Sequence, residues 1–152
     1  MAEATRLLLV EDSKFLRIAN ARALTKAGYF VICAGDGDEA LKLASEERPD
    51  LILLDMMIPK LSGPNVMKAL KDAPATRAIP IIVLSSLPQA NAEKLVAAGA
   101  AAYFEKSSLE LDRTADKLTI AVEKVLNEIK HQKETDSRLR DLAAKKAAGA
   151  GR

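Results

Sequence analysis

The stretch Leu51-Ile52-Leu53-Leu54-Asp55-Met56-Met57-Ile58-Pro59 decides the fold. Its four aliphatic residues run without a polar break, between Arg48-Pro49-Asp50 on one side and Pro59 beyond the acid. So short a run between turn-forming residues reads as a strand buried on both faces, as in a parallel sheet covered by helices. Asp55 then stands at the strand's C-terminal end. Ligands of open α/β sheets bind at the mouth formed by those ends. Alone, such an aspartate reads most simply as a capping or loop residue, so its meaning rests on what else reaches the same edge.

Working outward, Arg6-Leu7-Leu8-Leu9-Val10 is a second apolar run, ending in Glu11-Asp12. Ser13 is a plausible N-cap for a helix carrying Phe15, Ile18, Ala19, Ala21, Arg22 and Leu24, closed by Gly28. Tyr29 to Ala34 is the next strand, Gly35-Asp36-Gly37 a turn, and Asp38 the cap of a helix with Ala40, Leu41, Leu43 and Ala44. Past Pro59, Lys60 to Pro64 reads as a polar loop and Asn65 to Lys71 as a helix with Val66, Met67 and Leu70 inward. Ile79 to Leu84 is a strand ending in Ser85-Ser86. Ala90 to Ala98 is a helix closed by Gly99, and Ala100 to Glu105 a fifth strand followed by Lys106. From Ser108 a long helix begins, with Leu111, Ala115, Leu118, Val122, Val125 and Ile129 on one stripe. Strands alternating with helices predict an α/β fold: a doubly wound, five-stranded parallel sheet of flavodoxin-like (βα)5 form with an extended C-terminal helix.

Composition sets the outer limits. Hydrophobic residues make up 49% of the 152-residue chain but aromatics only 3%, so the core must be built from Leu, Ile, Val and Ala. The single cysteine, Cys33, excludes an internal disulfide and suits a reducing compartment. Its apolar neighbours favour an inert buried thiol. No apolar run approaches a membrane span and no signal-peptide pattern is present, so a cytoplasmic location without membrane contact is expected. From Lys124 onward eight Lys and Arg face four acids, which leaves residues 1–123 at −2 within a total of +2. The basic balance therefore belongs to the tail, and nucleic-acid binding is not expected. His131 has no companion ligand and is assigned no role.

What the strand ends carry gives Asp55 its meaning. Glu11 and Asp12 follow the first strand, Asp55 ends the third, Ser85 the fourth, and Lys106 follows the fifth. A parallel sheet brings all of them to one edge. Clustered carboxylates raise one another's pKa values unless a cation sits among them, and their hard oxygens suit Mg2+. A lysine and a hydroxyl beside them can hold a phosphoryl group.

With these residues quoted, the chain resembles the CheY-like receiver domains of two-component response regulators. The resemblance rests on Val10-Glu11-Asp12, on Asp55 to Pro59 with Gly63, on Val83-Leu84-Ser85-Ser86, and on Gly99-Ala100 to Tyr103 with Lys106. It covers about residues 5–130, leaving 131–152 as a polar, basic tail, helical or disordered. The resemblance implies a phosphorylation switch rather than an enzyme. Asp55 would accept a phosphoryl group from the phosphohistidine of a sensor histidine kinase or phosphotransfer protein. Glu11 (through water), Asp12, Asp55 and the backbone carbonyl of Met57 would hold Mg2+. Ser85 and Lys106 would bind the acyl phosphate. Tyr103 would be the switch aromatic, swinging inward as Ser85 is drawn to the phosphate, and the fourth helix, fifth strand and fifth helix would form the output face.

The chain departs from the family pattern in places. Ser107 replaces the usual proline after the lysine, which leaves the geometry of the Lys106-Ser107 bond open. Met57 and Leu87, two positions beyond Asp55 and Ser85, are apolar and cannot orient an attacking water, so slow self-dephosphorylation is expected. The helical stripe loses its apolar spacing at Gln132 and Asp136, which fits a core face and a monomer or weak dimer better than a coiled coil. A stand-alone switch and a receiver cut from a longer regulator, with a DNA-binding or catalytic output, both remain open. So does the weaker alternative of a receiver that binds without being phosphorylated.

Overall fold

The computed structural model describes residues 4–56, 58, 60–85, 92–106 and 111–150. Along the chain lie β1 (Arg6–Val10), α1 (Lys14–Lys26), β2 (Phe30–Ala34), α2 (Gly37–Glu47), β3 (Leu51–Asp55), α3 (Gly63–Asp72), β4 (Ile81–Ser85), α4 (Ala92–Ala97), β5 (Ala102–Glu105) and α5 (Leu111–Ala150). The strands form one parallel sheet in the order β2-β1-β3-β4-β5. This is the doubly wound sheet that the sequence predicts. The winding reverses between β1 and β3, so the switch point where such sheets bind ligands falls between Glu11-Asp12 and Asp55.

The pleat decides which side chains meet. Leu8, Val10, Ile52, Leu54, Ile81 and Val83 share one buried cluster with Ala40 and Ala44 of α2 and with Val66, Met67 and Leu70 of α3. The alternate residues Leu7, Leu9, Leu51, Leu53, Ile82 and Leu84 point to the other face and are just as fully buried. Burying each such side chain contributes about 1.5–3 kcal/mol, which is how a core almost without aromatics holds together. β1, β3 and β4 have helices to cover both faces, hence their unbroken apolar runs.

Helix boundaries differ in detail from the sequence reading, for physical reasons. Asp36, not Asp38, caps α2: its carboxylate accepts from the Glu39 amide at 2.8 Å. The Asp36-x-x-Glu39 spacing is that of a capping box, and it places Asp38 and Glu39 in the first turn, where acids favour the helix dipole. Ser62 caps α3 with Pro64 in its first turn, so the loop after β3 is shorter than expected. Gly28, at φ +104, ends α1 in a conformation that side chains disfavour. On α1 itself Asn20 and Leu24 are buried, whereas Phe15 (66% exposed) and Ile18 (41%) face solvent. Its apolar pattern is not a core face alone.

The chain divides after Ile120 into two compact units. The first contains the whole sheet. The second is the remainder of α5, where Val122 and Val125 are buried and every residue from Lys130 to Ala148 is exposed. A helix polar all round depends on local pairs for support. Here Gln132 donates to Asp136 at 3.0 Å and the Thr135 hydroxyl to the His131 carbonyl at 3.0 Å. The side chains of Leu111 and Ala115 on the expected stripe lie outside the described residues. No helix among the described residues is long and apolar enough to cross a membrane.

Candidate phosphoryl-transfer site

Glu11, Asp55 and Lys106 have side chains of one pleat parity, opposite to Val10, Leu54 and Tyr103, so all three leave the strand ends on the same face. Main-chain bonds carry the sheet one step past its strands. The Glu11 amide donates to the Ala34 carbonyl at 3.0 Å, the Met56 amide to Leu84 at 3.0 Å, and the Lys106 amide to Ser85 at 2.7 Å. Each reactive side chain therefore stands on backbone that the sheet holds at or beside its own position.

The Lys106 ammonium is the centre of the cluster. Its Nζ donates to Asp55 Oδ2 at 2.8 Å and, more closely, to Glu11 Oε2. Glu11 is 1% exposed and Asp55 5%, while Asp12 faces solvent. The other Glu11 oxygen, Oε1, accepts from the Ser13 amide at 3.3 Å, and the Ser13 hydroxyl caps α1 by accepting from Leu16 at 3.3 Å. Burial pushes the Glu11 pKa up, with the Asp55 charge adding to the rise; the Lys106 hydrogen bond and charge hold it back only in part. For Lys106, burial pulls the pKa down, but the hydrogen bonds and charges of Asp55 and Glu11 outweigh it and leave the ammonium more basic than usual. The lysine is thus a fixed positive charge.

One ammonium does not neutralise three carboxylates. Glu11, Asp12 and Asp55 each offer an oxygen, and these oxygens lie within 4.8 Å of one another. Hard oxygens, two of them nearly dry and one open to water, fit a divalent cation that keeps part of its hydration shell. The Met57 carbonyl, expected as a further ligand, lies outside the described residues, as do Leu87 and the Lys106-Ser107 bond.

Ser85 and Tyr103 have the opposite pleat parity from Glu11, Asp55 and Lys106. Ser85 is 1% exposed at the end of β4. Tyr103 pairs with Val83 and is half-buried against the α2/α3 core cluster. By alternation Ser85 shares the Val83 face, so serine and tyrosine lie on the same side of the sheet. The predicted residues are thus brought to one edge, with Glu11, Asp55 and Lys106 in one pleat parity and Ser85 and Tyr103 in the other.

Two residues that the sequence reading left without a role, Arg17 and Lys60, support the edge. Arg17, about one turn into α1, donates to the Glu11 carbonyl at 2.9 Å. Lys60 holds a left-handed conformation (φ 68) in the loop after β3 and pairs with the α2 cap Asp36 at 3.3 Å. Only the Asp36-x-x-Glu39 spacing was available in advance; the Lys60 link joins distant segments, and the Arg17 link ends on a main-chain carbonyl that side-chain spacing does not mark. Gly63, read as turn chemistry, is pressed onto the chain just after Asp55. Its amide donates to Met56 at 3.2 Å, and a Cβ there would lie 2.4 Å from the Met56 Cα. Only glycine fits that approach.

Against known proteins, the family model of the response regulator receiver domain matches residues 7–119. The chain is 38% identical over 122 residues to the gliding motility regulatory protein of Myxococcus xanthus, covering 78% of this chain and 16% of that protein. It is 40% identical over 102 residues to the polar-differentiation response regulator DivK of Brucella anthropi, covering 66% of this chain and 82% of that one. It spans 16% of the length of the gliding motility regulatory protein, 31% of probable transcriptional regulator ycf27 of Guillardia theta and 33% of alkaline phosphatase synthesis transcriptional regulatory protein PhoP of Bacillus subtilis. Among solved structures, chemotaxis response regulator CheY4 of Vibrio cholerae superposes with TM-score 0.71 at 28% identity, over 81% of this chain and 99% of that one. The response regulator domain of Thermotoga maritima CheB gives 0.72 at 28%, over 82% and 98%.

Proposed function

The chain belongs to the response regulator receiver family of two-component signalling, and from that premise we propose that Asp55 is its phosphoacceptor. The observation that carries the reading is the Lys106 ammonium held 2.8 Å from Asp55 Oδ2 at the switch point of the sheet. In the reaction an Asp55 carboxylate oxygen attacks the phosphorus of a phosphohistidine on a histidine kinase or phosphotransfer protein. The P–O bond forms as the P–N bond breaks, and the imidazole leaves with the electron pair. Lys106 loses its carboxylate partner as the oxygen becomes an acyl phosphate, and its ammonium is then free to pair with the phosphoryl oxygens. Glu11, dry and anchored by Ser13, keeps the lysine in reach throughout.

A Mg2+ ion held by Asp12, Asp55 and the Met57 carbonyl, with Glu11 acting through water, would neutralise phosphoryl charge during transfer. The Ser85 hydroxyl is assigned to the acyl phosphate and Tyr103 to the coupled switch; their common face supports that pairing. The α4-β5-α5 face is assigned to output. With Met57 and Leu87 unable to position water, the phosphoryl group is expected to persist for minutes to hours. Residues 5–130 are taken as the receiver and 131–152 as an appended basic segment. The coverage of relatives is compatible with a stand-alone switch, as for DivK, and with the receiver of a longer regulator.

Labelling with acetyl phosphate and Mg2+, followed by phosphate-affinity electrophoresis, tests the assignment. The parent protein is expected to label and Asp55→Asn to remain unlabelled. An unlabelled parent, or a labelled variant, overturns it.

A further inference from the structure

On the opposite edge of the sheet from the assigned output face, α1 and the edge strand β2 enclose an open groove of about 480 Å³. Its floor is apolar, formed by Ile18, Ala21 and Cys33, and its rim is cationic, formed by Arg17, Arg22 and Lys26. Ile18, Ala21, Arg22 and Lys26 follow one another at helical spacing, so the groove uses a second face of α1, distinct from the Asn20-Leu24 face in the core. Among the described residues no carboxylate lines the groove, and Arg22 and Lys26 make no ion pair. Arg17 is held in place by the Glu11 carbonyl. Burial pushes the Cys33 thiol up, with Arg17 pulling back and Glu39 adding to the rise, so the floor residue stays a neutral thiol at neutral pH.

An apolar floor with cations on flexible stems fits a particular partner. Arg and Lys lay their methylenes along an apolar ligand while their charged heads reach its polar flank. A ligand presenting an apolar stripe between rows of Asp or Glu satisfies both floor and rim, and an amphipathic helix has that form. Single-stranded nucleic acid satisfies the rim alone, because it needs aromatic side chains on which bases stack, and none lines this groove. We infer that the α1-β2 groove is a docking site for an acidic amphipathic helix of a partner protein. It lies at the β2 edge of the sheet, away from β5, and touches the carboxylate cluster only through the bond of Arg17 to the Glu11 main chain.

Cys33 is the protein's only cysteine, so its reaction with a thiol reagent reports groove occupancy without any added label. Two synthetic amphipathic peptides serve as probes, both with a leucine stripe, one flanked by glutamates and one by lysines. The acidic peptide at saturation is expected to slow Cys33 modification at least five-fold, and the basic peptide to leave it unchanged. In the double variant Arg22→Glu/Lys26→Glu the preference should reverse. Far-UV circular dichroism and an unchanged thermal midpoint establish that the variant is folded. Protection by neither peptide, by both alike, or with the same preference in the variant overturns the inference. Equal protection by an oligothymidylate overturns it too, in favour of a general polyanion surface.

Discussion

Two clusters of three like charges lie on this domain, and they are built in opposite ways. Glu11, Asp12 and Asp55 stand at strand ends, two of them nearly dry and tied together by Lys106. Arg17, Arg22 and Lys26 stand along the outside of one helix, around an open groove. In the first cluster removing the Lys106 ammonium leaves Glu11 and Asp55 uncompensated in a dry place, where the penalty is several kcal/mol. In the second Arg22 and Lys26 are exposed to water, and the loss of either charge costs the fold little. Dry, cross-linked charge is suited to chemistry at a fixed point. Wet, independent charge is suited to meeting another surface.

The sharpest way to break this comparison is Lys106→Met, which leaves Glu11 and Asp55 facing each other without a cation. We expect a loss of about 3–5 kcal/mol in Mg2+-free urea unfolding, with part of it regained when millimolar Mg2+ binds the folded state. A loss under about 1 kcal/mol would place the acidic cluster in the same class as the groove. Next in size is Gly63→Ala, whose methyl must displace backbone at Met56. Overpacking of this kind costs about 1–3 kcal/mol, measurable as a lowered urea midpoint. Asp36→Asn should have a smaller effect confined to acid. The Glu39 amide, followed by the Lys60 ion pair, holds the Asp36 carboxyl below its ordinary 3.8. Its ionised form therefore contributes stability above that pH, and the contribution disappears as pH falls through the lowered value. Asparagine keeps the cap but does not titrate, so the variant should lose less stability than the parent between pH 5 and about pH 2. Smallest of all, Arg22→Glu/Lys26→Glu should leave the unfolding free energy within about 0.5 kcal/mol of the parent.

The same contrast separates what was legible in the sequence from what was not. Leu51–Leu54 announced β3 because a strand buried on both faces has no polar position, and Asp55 stood out by ending it. Glu11, Ser85 and Lys106 were readable for the same reason, as polar residues terminating apolar runs. Their division between two faces was not, since it follows from counting pleat positions after the strand bounds are known. The cap of α2 was misplaced by two residues because Asp36 and Asp38 are both good caps and only the bond to Glu39 distinguishes them. The groove was hidden altogether. Ile18 and Ala21 fit an apolar helical pattern, and such a pattern does not say which of two faces of α1 meets the sheet. Lys60 acts across separate segments of chain, and Arg17 on a main-chain carbonyl six residues earlier, relations that side-chain patterning does not mark.

The clamp between Glu11 and Lys106 spans 95 residues of sequence. A ribosome delivers the two ends far apart in time, and the acids of β1 and β3 emerge long before the lysine that neutralises them. Until β5 is in place those carboxylates lack the ammonium that pairs with them in the finished sheet. A polypeptide that stops short of residue 106 therefore lacks the one cation built into the site, however well its first four strands pair.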